Sequence, residues 1–198
     1  MAYSDFTIDR VREELGITFD FSHSLFNDIL PVAASSWLVE TLALMAPLAT
    51  ANTEKARSEF MIAPILSEIA RKTDYSIFVF SGKDFNVSSD RGLVGYCDFL
   101  LSRSPESISI QAPVCAIVEA KKEDINSGIA QCVAEMIAAQ IFNDAKGTVI
   151  KRIYGVVTSG MAWRFLVLEN NVAMIDRIDY YVSQVDKILG ILLNAVQE

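Results

Sequence analysis

Two charged side chains end an otherwise apolar segment in the stretch VCAIVEAKK, which runs from Val114 to Lys122. Glu119 and Lys121 are two residues apart, so they would point to the same face of a strand. A buried charge is costly unless it is paired or binds a metal. The pattern therefore predicts either a salt bridge at a strand end or a site that binds an ion.

A second acidic residue, Asp98, lies in the preceding apolar segment GYCDFLL (95–101). If the two segments pair as an antiparallel hairpin, Asp98 comes close to Glu119. Two neighbouring carboxylates repel each other unless a cation binds between them, and their oxygens are ligands that Mg²⁺ favours. Like charge and burial should then lower the pKa of Lys121, which suits it to handle a water molecule. One interpretation is that Asp98 takes part in metal-assisted hydrolysis. The other is that Asp98 lies near a turn or is hydrogen-bonded to the backbone.

Helical patterns precede these two segments. SDFTIDRVREEL predicts an amphipathic helix with Ser4 as the N-cap and an end near Gly16. One or two apolar helices should follow up to about Leu48, and another should begin at Asn52 or Thr53. Pro64 should kink or split that last helix.

Strand patterns dominate the rest of the chain. Three strands are predicted at 75–80, 95–101 and 114–121, then a helix at about 127–143 capped by Ser127. Alternation in the second strand places Asp98 with Leu100 on one face, and Cys97 with Phe99 on the other. Strands at 151–160, 162–171 and 172–178 and a closing helix at 179–197 complete the pattern. This order predicts an α/β (α+β) fold with a mixed central sheet flanked by helices.

Composition narrows the class of protein. The 198 residues fit one domain, with residues 1–50 as a helical N-terminal extension packed on a 51–198 core. The net charge is −8 and there is no Lys/Arg block, so strong nonspecific affinity for nucleic acid is not predicted. Three cysteines without a CxxC pair, and a single histidine, argue against a zinc finger and favour reduced thiols in the cytoplasm. Neither a signal peptide nor a membrane span is expected.

The motif as a whole resembles the PD-(D/E)XK, or restriction-endonuclease-like, nuclease superfamily. DFLL, thirteen residues of connection, CAIVEAK and then a helix carrying Gln131 form the resemblance. GYCDFLL, IVEAKKE and GIAQCVAEM are most similar to stand-alone relatives of the nuclease domain in type I restriction subunits. The likeness covers roughly Thr53 to Leu168, which leaves the first fifty residues and the final helix outside it.

The resemblance implies an αβββαβ core and magnesium-dependent hydrolysis of phosphodiester bonds in nucleic acid, with DNA as the expected substrate and Mn²⁺ able to replace Mg²⁺. Asp98 matches the first acid of the motif, Glu119 the second and Lys121 the lysine. Asp98, Glu119 and the Ala120 carbonyl are the implied ligands of one or two metal ions, while Lys121 would orient the attacking water or steady the developing charge. Cys97 stands where the motif's name has proline.

Two helical residues complete the implied site. Glu59 matches the acid of the preceding helix and would contact a second metal ion, although Glu54 or Glu68 could take that place, or Glu59 could simply lie on a solvated face. Gln131 matches a glutamine that some branches of the superfamily use to position the lysine or the scissile phosphate. Gln131 could instead pair locally with Glu135, one helical turn later.

Alternatives from other classes stay open. The negative net charge favours a nuclease-like domain that no longer cleaves and serves nucleic-acid recognition or protein assembly. The apolar N-terminal helices could instead form the interface of a homodimer, or of a larger restriction- or repair-type complex.

Overall fold

The N-terminal region contributes both a helix and a strand. The computed structural model describes residues 1–50, 53–104, 108–122 and 124–198, without the side chain of Thr50. Helix α1 spans Ile8–Leu15, begins with the Thr7 hydroxyl accepting a hydrogen bond from the Arg10 N–H, and ends at Gly16 with φ of 71°. The predicted end is therefore right, whereas Thr7 and not Ser4 is the N-cap. Strand β1 (Thr18–Asp20) follows, and the helical patterns of this region had not predicted it.

Three helical segments come next along the chain. Helix α2 spans Ser36–Thr50 and continues through Pro47. A short helix α3 (Glu54–Arg57) leads into a π-helical turn (Ser58–Ile62) and then into α4 (Ala63–Lys72). Pro64 lies in the first turn of α4, where a missing N–H costs little, and the predicted irregularity is the π-helical turn before it. Asn52, one predicted start of this helix, lies outside the described residues.

A mixed sheet forms the centre of the molecule. Its remaining strands are β2 (Phe78–Asp84), β3 (Tyr96–Ser102), β4 (Val114–Ala120), β5 (Arg152–Thr158), β6 (Ala162–Glu169), β7 (Val172–Ile175) and β8 (Tyr180–Tyr181). Across the described residues the sheet has eight strands: seven follow the order β1-β7-β6-β5-β4-β3-β2, and β8 lies off this path and pairs with β6. The β4–β5 and β1–β7 pairs are parallel, and the other pairs are antiparallel. The predicted α/β class with a mixed sheet is confirmed, and the order α4-β2-β3-β4-α5-β5 matches the helix, three strands, helix, strand that the resemblance implies.

Helices cover both faces of this sheet. Helix α5 (Ile129–Ala145) packs on one face together with α1, whereas α2, α4 and α6 (Val185–Gln197) contribute to the core on the other face. The buried Asn143 on α5 fixes the start of β4, because its amide donates to the Val114 carbonyl at 2.9 Å and accepts from the Val114 N–H at 2.8 Å. Helix α5 is thereby held in a defined register beside the strand that carries Glu119.

The start of α5 differs from the prediction. A 3-10 turn (Ile125–Gly128) precedes the helix, and the Asp124 side chain accepts a hydrogen bond from the Asn126 N–H. Ser127 lies inside this turn and is not the cap. Over the ranges that the structure describes, every helix is too short or too polar to cross a membrane.

Candidate active site at the end of strand β4

Asp98 lies where strands β3 and β4 separate. The two strands pair antiparallel, and the last paired residues in this direction are Phe99 and Val118. Beyond them, the Ala120 N–H donates to the Asp98 carboxylate at 2.8 Å instead of to a backbone carbonyl. The predicted hairpin is confirmed, and the backbone-bonded role that the sequence left open for Asp98 is also present.

The side chains of β3 do not alternate strictly at this point. Phe99 packs in the core layer of α4, as expected for its face, but Cys97 packs with Leu100 in the layer of α5. Asp98 lines a cleft on the α3–α4 side together with Phe99. The strict alternation predicted for this strand is therefore broken around Asp98.

A chain of polar contacts runs from β4 into α5. The Lys121 ammonium donates to Glu119 Oε1 at 2.6 Å and to Gln131 Oε1 at 3.1 Å. The Gln131 amide nitrogen donates in turn to Glu135 Oε1 at 3.0 Å. We call these four residues the β4–α5 polar chain. It joins Glu119, Lys121 and Gln131 as the sequence predicted, and it also contains the local Gln131–Glu135 pair named as the alternative.

Glu135 is the site residue that sequence reasoning missed. Its side chain is fully buried, and within the part of the chain that the structure describes its Oε2 atom has no hydrogen-bond partner. The available signal was its position four residues after Gln131, which places both on one helix face. That spacing is so common on solvated helices that only the burial distinguishes Glu135.

Burial dominates the electrostatics of the three acids. Burial and the neighbouring charge of Asp98 raise the pKa of Glu119 to about 8. Burial also raises the pKa of Asp98, against the lowering effect of the hydrogen bond from the Ala120 N–H. The pKa of Glu135 lies well above its usual range, through burial and then through the charge of Glu119. These acids therefore hold protons more readily than ordinary carboxylates do.

Lys121 shifts in the direction opposite to the prediction. Burial lowers its pKa, but the charge of Glu119 and the hydrogen bond to it outweigh burial, so the net pKa is raised. The lowered pKa expected from the sequence assumed a bound cation beside the ammonium. In the metal-free protein the neighbouring carboxylate of Glu119 raises the pKa instead.

The lack of a side chain at Gly128 makes room for the Lys121 side chain. A Cβ atom at Gly128 would lie 2.6 Å from Val157 Cγ1 and 3.0 Å from Lys121 Cε. The turn before α5 therefore packs directly against the aliphatic part of the lysine, which restricts where the ammonium can point.

The helical acid of the predicted site is not in contact with the polar chain. Glu59 is exposed and lies 3.6 Å from Lys55 in a surface ion pair. It lines the cleft of about 340 Å³ that also contains Glu54 and Asp98. The charge of Glu54, in contrast, contributes to the pKa shifts of both Glu119 and Lys121. Glu54 is therefore the helical acid that acts electrostatically on the site.

The residues present fit a hard cation in type. Glu119 Oε2 is buried and has no hydrogen-bond donor among the described residues, which is the kind of oxygen that a divalent ion would satisfy. Asp98 and the Ala120 carbonyl are the other oxygen donors implied for the ion. Within the described ranges, no group of three or more His, Cys, Asp and Glu residues is arranged to hold a metal. The fit thus depends on two carboxylates and a backbone oxygen.

Comparison with protein-family models, curated proteins and solved structures found no match for this chain. The family resemblance drawn from the motif accordingly stays a prediction.

Proposed function

We propose that the protein is a metal-dependent nuclease that hydrolyses phosphodiester bonds of nucleic acid, with DNA as the expected substrate. What carries the proposal is the convergence of Asp98, Glu119 and Lys121 at one end of β4, beside an open cleft. An acid, a second acid and a lysine on adjoining strand ends suit hydrolysis assisted by a divalent ion.

Each residue has a role that its contacts support. Asp98, Glu119 and the Ala120 carbonyl would hold Mg²⁺, or Mn²⁺ in its place, which when bound supplies Lewis acidity and lowers the pKa of an attacking water. Lys121 donates hydrogen bonds to Glu119 and Gln131, and its ammonium would orient that water or a phosphoryl oxygen beside the ion. Gln131 holds the lysine in place through the 3.1 Å contact.

Glu59 has a smaller part in this proposal than the sequence implied. Its exposed carboxylate lines the cleft, so it can meet a second ion only through water or after leaving Lys55. Glu54 is the better-placed acid for that purpose.

Metal titration and cleavage test the proposal together. Calorimetric titration with Mg²⁺ and with Mn²⁺ should show binding to the wild-type chain and none to Asp98→Ala or Glu119→Ala. Single- and double-stranded DNA and RNA should then be incubated with metal, and Lys121→Ala should cleave at least about a hundredfold more slowly than wild type. Glu169→Ala is the matched control, because this acid makes its ion pairs with Lys151 and Arg152 instead. Equal cleavage by wild type and Lys121→Ala would contradict the proposal.

A nuclease-like domain that does not cleave is the second candidate. The observation that favours it is the acidic lining of the cleft: among the described residues that line it, three are acidic (Glu54, Glu59 and Asp98) and one is basic (Lys55). Such a cleft repels phosphates unless cations compensate it. Metal binding without any cut substrate would select this function of recognition or assembly.

The proposal also covers location and assembly. The cysteines Cys97, Cys115 and Cys132 are free and buried, which suits a reducing compartment such as the cytoplasm. A homodimer or a larger restriction- or repair-type complex would give the protein a way to choose its targets.

A further inference from the structure

A second opening adjoins the cleft, between α4 and the edge strand β2. We call it the α4–β2 groove, and it has a volume of about 480 Å³. Its walls include Trp37, Ala70, Arg71, Tyr75, Phe78 and Val79. Volumes of this size are typical of sites for small ligands. None of these residues belongs to the polar chain or to the cleft.

Two exposed aromatic rings and a cation distinguish this groove. Trp37 is 43% exposed and Tyr75 is 66% exposed, although large aromatic side chains usually bury most of their surface. The Arg71 guanidinium lies 5.7 Å from the centre of the Trp37 ring, within the range of a cation–π contact. Aromatic faces beside arginine are the usual platform for unpaired nucleobases.

The backbone presents Tyr75 at a conformational cost. Asp74 and Tyr75 have φ of 49° and 57°, in the left-handed region that a bulky residue rarely enters. The turn is held by the Tyr75 N–H, which donates to the Ala70 carbonyl at 2.8 Å. Such backbone strain tends to persist at sites of function.

The charge around the groove is arranged for an anion. The Arg71 and Lys72 side chains both pair with Glu68, whose carboxylate is completely buried. The negative partner therefore lies inside the protein, while the Arg71 guanidinium is partly exposed beside the Trp37 ring. A phosphate next to a stacked base would meet this cation.

The groove and the cleft lie next to each other along α4 and β2. Val79 lines the groove and Ser81 the cleft, and two residues of a strand cover about 6.6 Å. On the helix side the same step runs from Ser67 to Ala63, which is about one helical turn. An extended polynucleotide strand could therefore occupy both openings at once.

A strand of another protein fits this edge less well. Beyond Val79 the exposed part of β2 carries Lys83 and Asp84, and charged residues discourage pairing at a sheet edge. Gly82, with φ of 59°, further breaks the flat strand that an added strand would need.

From these observations we propose that the α4–β2 groove is a base-stacking subsite that holds an unpaired nucleobase of a single-stranded nucleic acid whose backbone enters the cleft. This inference rests on the proposed function and specifies its substrate class, since bases inside a duplex are already stacked and cannot reach Trp37 or Tyr75.

Fluorescence offers a direct test, because the protein has two tryptophans and Trp163 is completely buried. Quenching by an oligonucleotide therefore reports on Trp37. The probes are twelve-nucleotide oligo-dT, oligo-rU and a blunt DNA duplex. They are added with Mg²⁺ to the Lys121→Ala chain, which keeps both metal-binding carboxylates and cleaves too slowly to interfere. We expect the single strands to quench Trp37 and to bind about tenfold or more tightly than the duplex, and Tyr75→Ala to weaken binding about tenfold or more.

Tyr181→Ala is the matched control, since Tyr181 is 54% exposed on β8 and lies outside the groove. Its affinity should equal that of the parent chain. An equal loss in both tyrosine variants, no loss in Tyr75→Ala, or no binding of any strand would overturn the subsite. Sedimentation that shows self-association shielding Trp37 would overturn it too, by assigning the groove to a second copy.

The two proposals can fail separately. If the wild-type chain and Tyr75→Ala cleave nucleic acid at the same rate, the base-stacking subsite is contradicted and the nuclease function is supported. If single-stranded oligonucleotides bind in a way that depends on Tyr75 but no substrate is cleaved, the subsite is supported and the nuclease function is contradicted.

Discussion

Two buried glutamates in this protein, Glu68 and Glu119, have opposite surroundings. Glu68 on α4 accepts hydrogen bonds from the Ser35 N–H at 3.1 Å and the Ser35 hydroxyl at 3.0 Å, and it pairs with Arg71 and Lys72. Glu119 has Lys121 on one oxygen, and its other oxygen has no hydrogen-bond donor in the described ranges. Both glutamates are almost completely removed from solvent.

This difference in hydrogen bonding distinguishes an acid that stabilises the fold from an acid that belongs to the candidate site. A carboxylate with donors on both oxygens stabilises the fold, because its desolvation is compensated. A buried carboxylate with an unmatched oxygen costs stability, and such sites are where binding and catalysis are usually found. By this criterion Glu119 and Glu135 belong to the candidate site, whereas Glu68, a sequence-level competitor of Glu59, belongs to the core.

The largest expected effect comes from matched substitutions of the two glutamates. In Glu68→Gln an amide group must face donors on both sides, so the free energy of unfolding should fall by about 3 kcal/mol. In Glu119→Gln the amide can replace the unmatched oxygen, and stability should change by less than about 1 kcal/mol or rise. Urea denaturation of both variants measures this, and a larger loss in Glu119→Gln would reverse the comparison.

The pH dependence of stability should follow from Glu119. The folded chain holds the Glu119 proton up to about pH 8, whereas an ordinary glutamate loses it near 4.5, so the folded state binds more protons between these values. The stability contributed by protonated Glu119 in the metal-free protein is therefore complete below that window and should fall as the pH rises through it, by up to about 5 kcal/mol. Denaturation in EDTA at both ends of the window should show the fall in wild type and a flatter profile in Glu119→Gln. An identical slope in both chains would argue against Glu119 as the group responsible.

Glu135 should act on catalysis through Gln131. Because the Gln131 amide nitrogen donates to Glu135, its oxygen is turned to Lys121. Glu135→Leu removes that constraint, and we expect kcat to fall about 10- to 100-fold with little change in KM. Glu135→Gln keeps an acceptor for Gln131 and should retain most of the activity. Equal losses in the two variants would assign Glu135 to packing alone.

The smallest effect should distinguish the two helical acids. Removing the charge of Glu54 relieves its repulsion of Glu119, so Glu54→Gln should change Mg²⁺ affinity two- to threefold, about 0.5 kcal/mol. Glu59→Gln should leave affinity unchanged, because this residue is exposed and paired with Lys55. Calorimetric titration of both variants decides whether Glu54 or Glu59 belongs with the site acids.

Much of the fold could be predicted from the sequence because its main helices and strands are long segments with a clear hydrophobic periodicity. The strands around Asp98 and Glu119 and the helix with Gln131 were predicted, since apolar alternation and a long apolar helix leave few other interpretations. Strands β1 and β8 were missed, because they are two or three residues long and exist only through pairing with β7 and β6. The caps at Thr7 and Asp124 were displaced by a few residues, as local competition among Ser, Thr and Asp permits.

The sequence by itself determined that Glu119 and Lys121 share a strand face and that Gln131 lies on the following helix, because spacing along a regular element sets direction. Only the tertiary structure decided that Glu135 is buried, that Glu54 acts on the site more than Glu59 does, and that Asp98 turns toward the cleft. Those outcomes depend on how α3, α5 and the separating ends of β3 and β4 pack together. Packing sets desolvation and the distance between charges, which no local pattern of residues encodes.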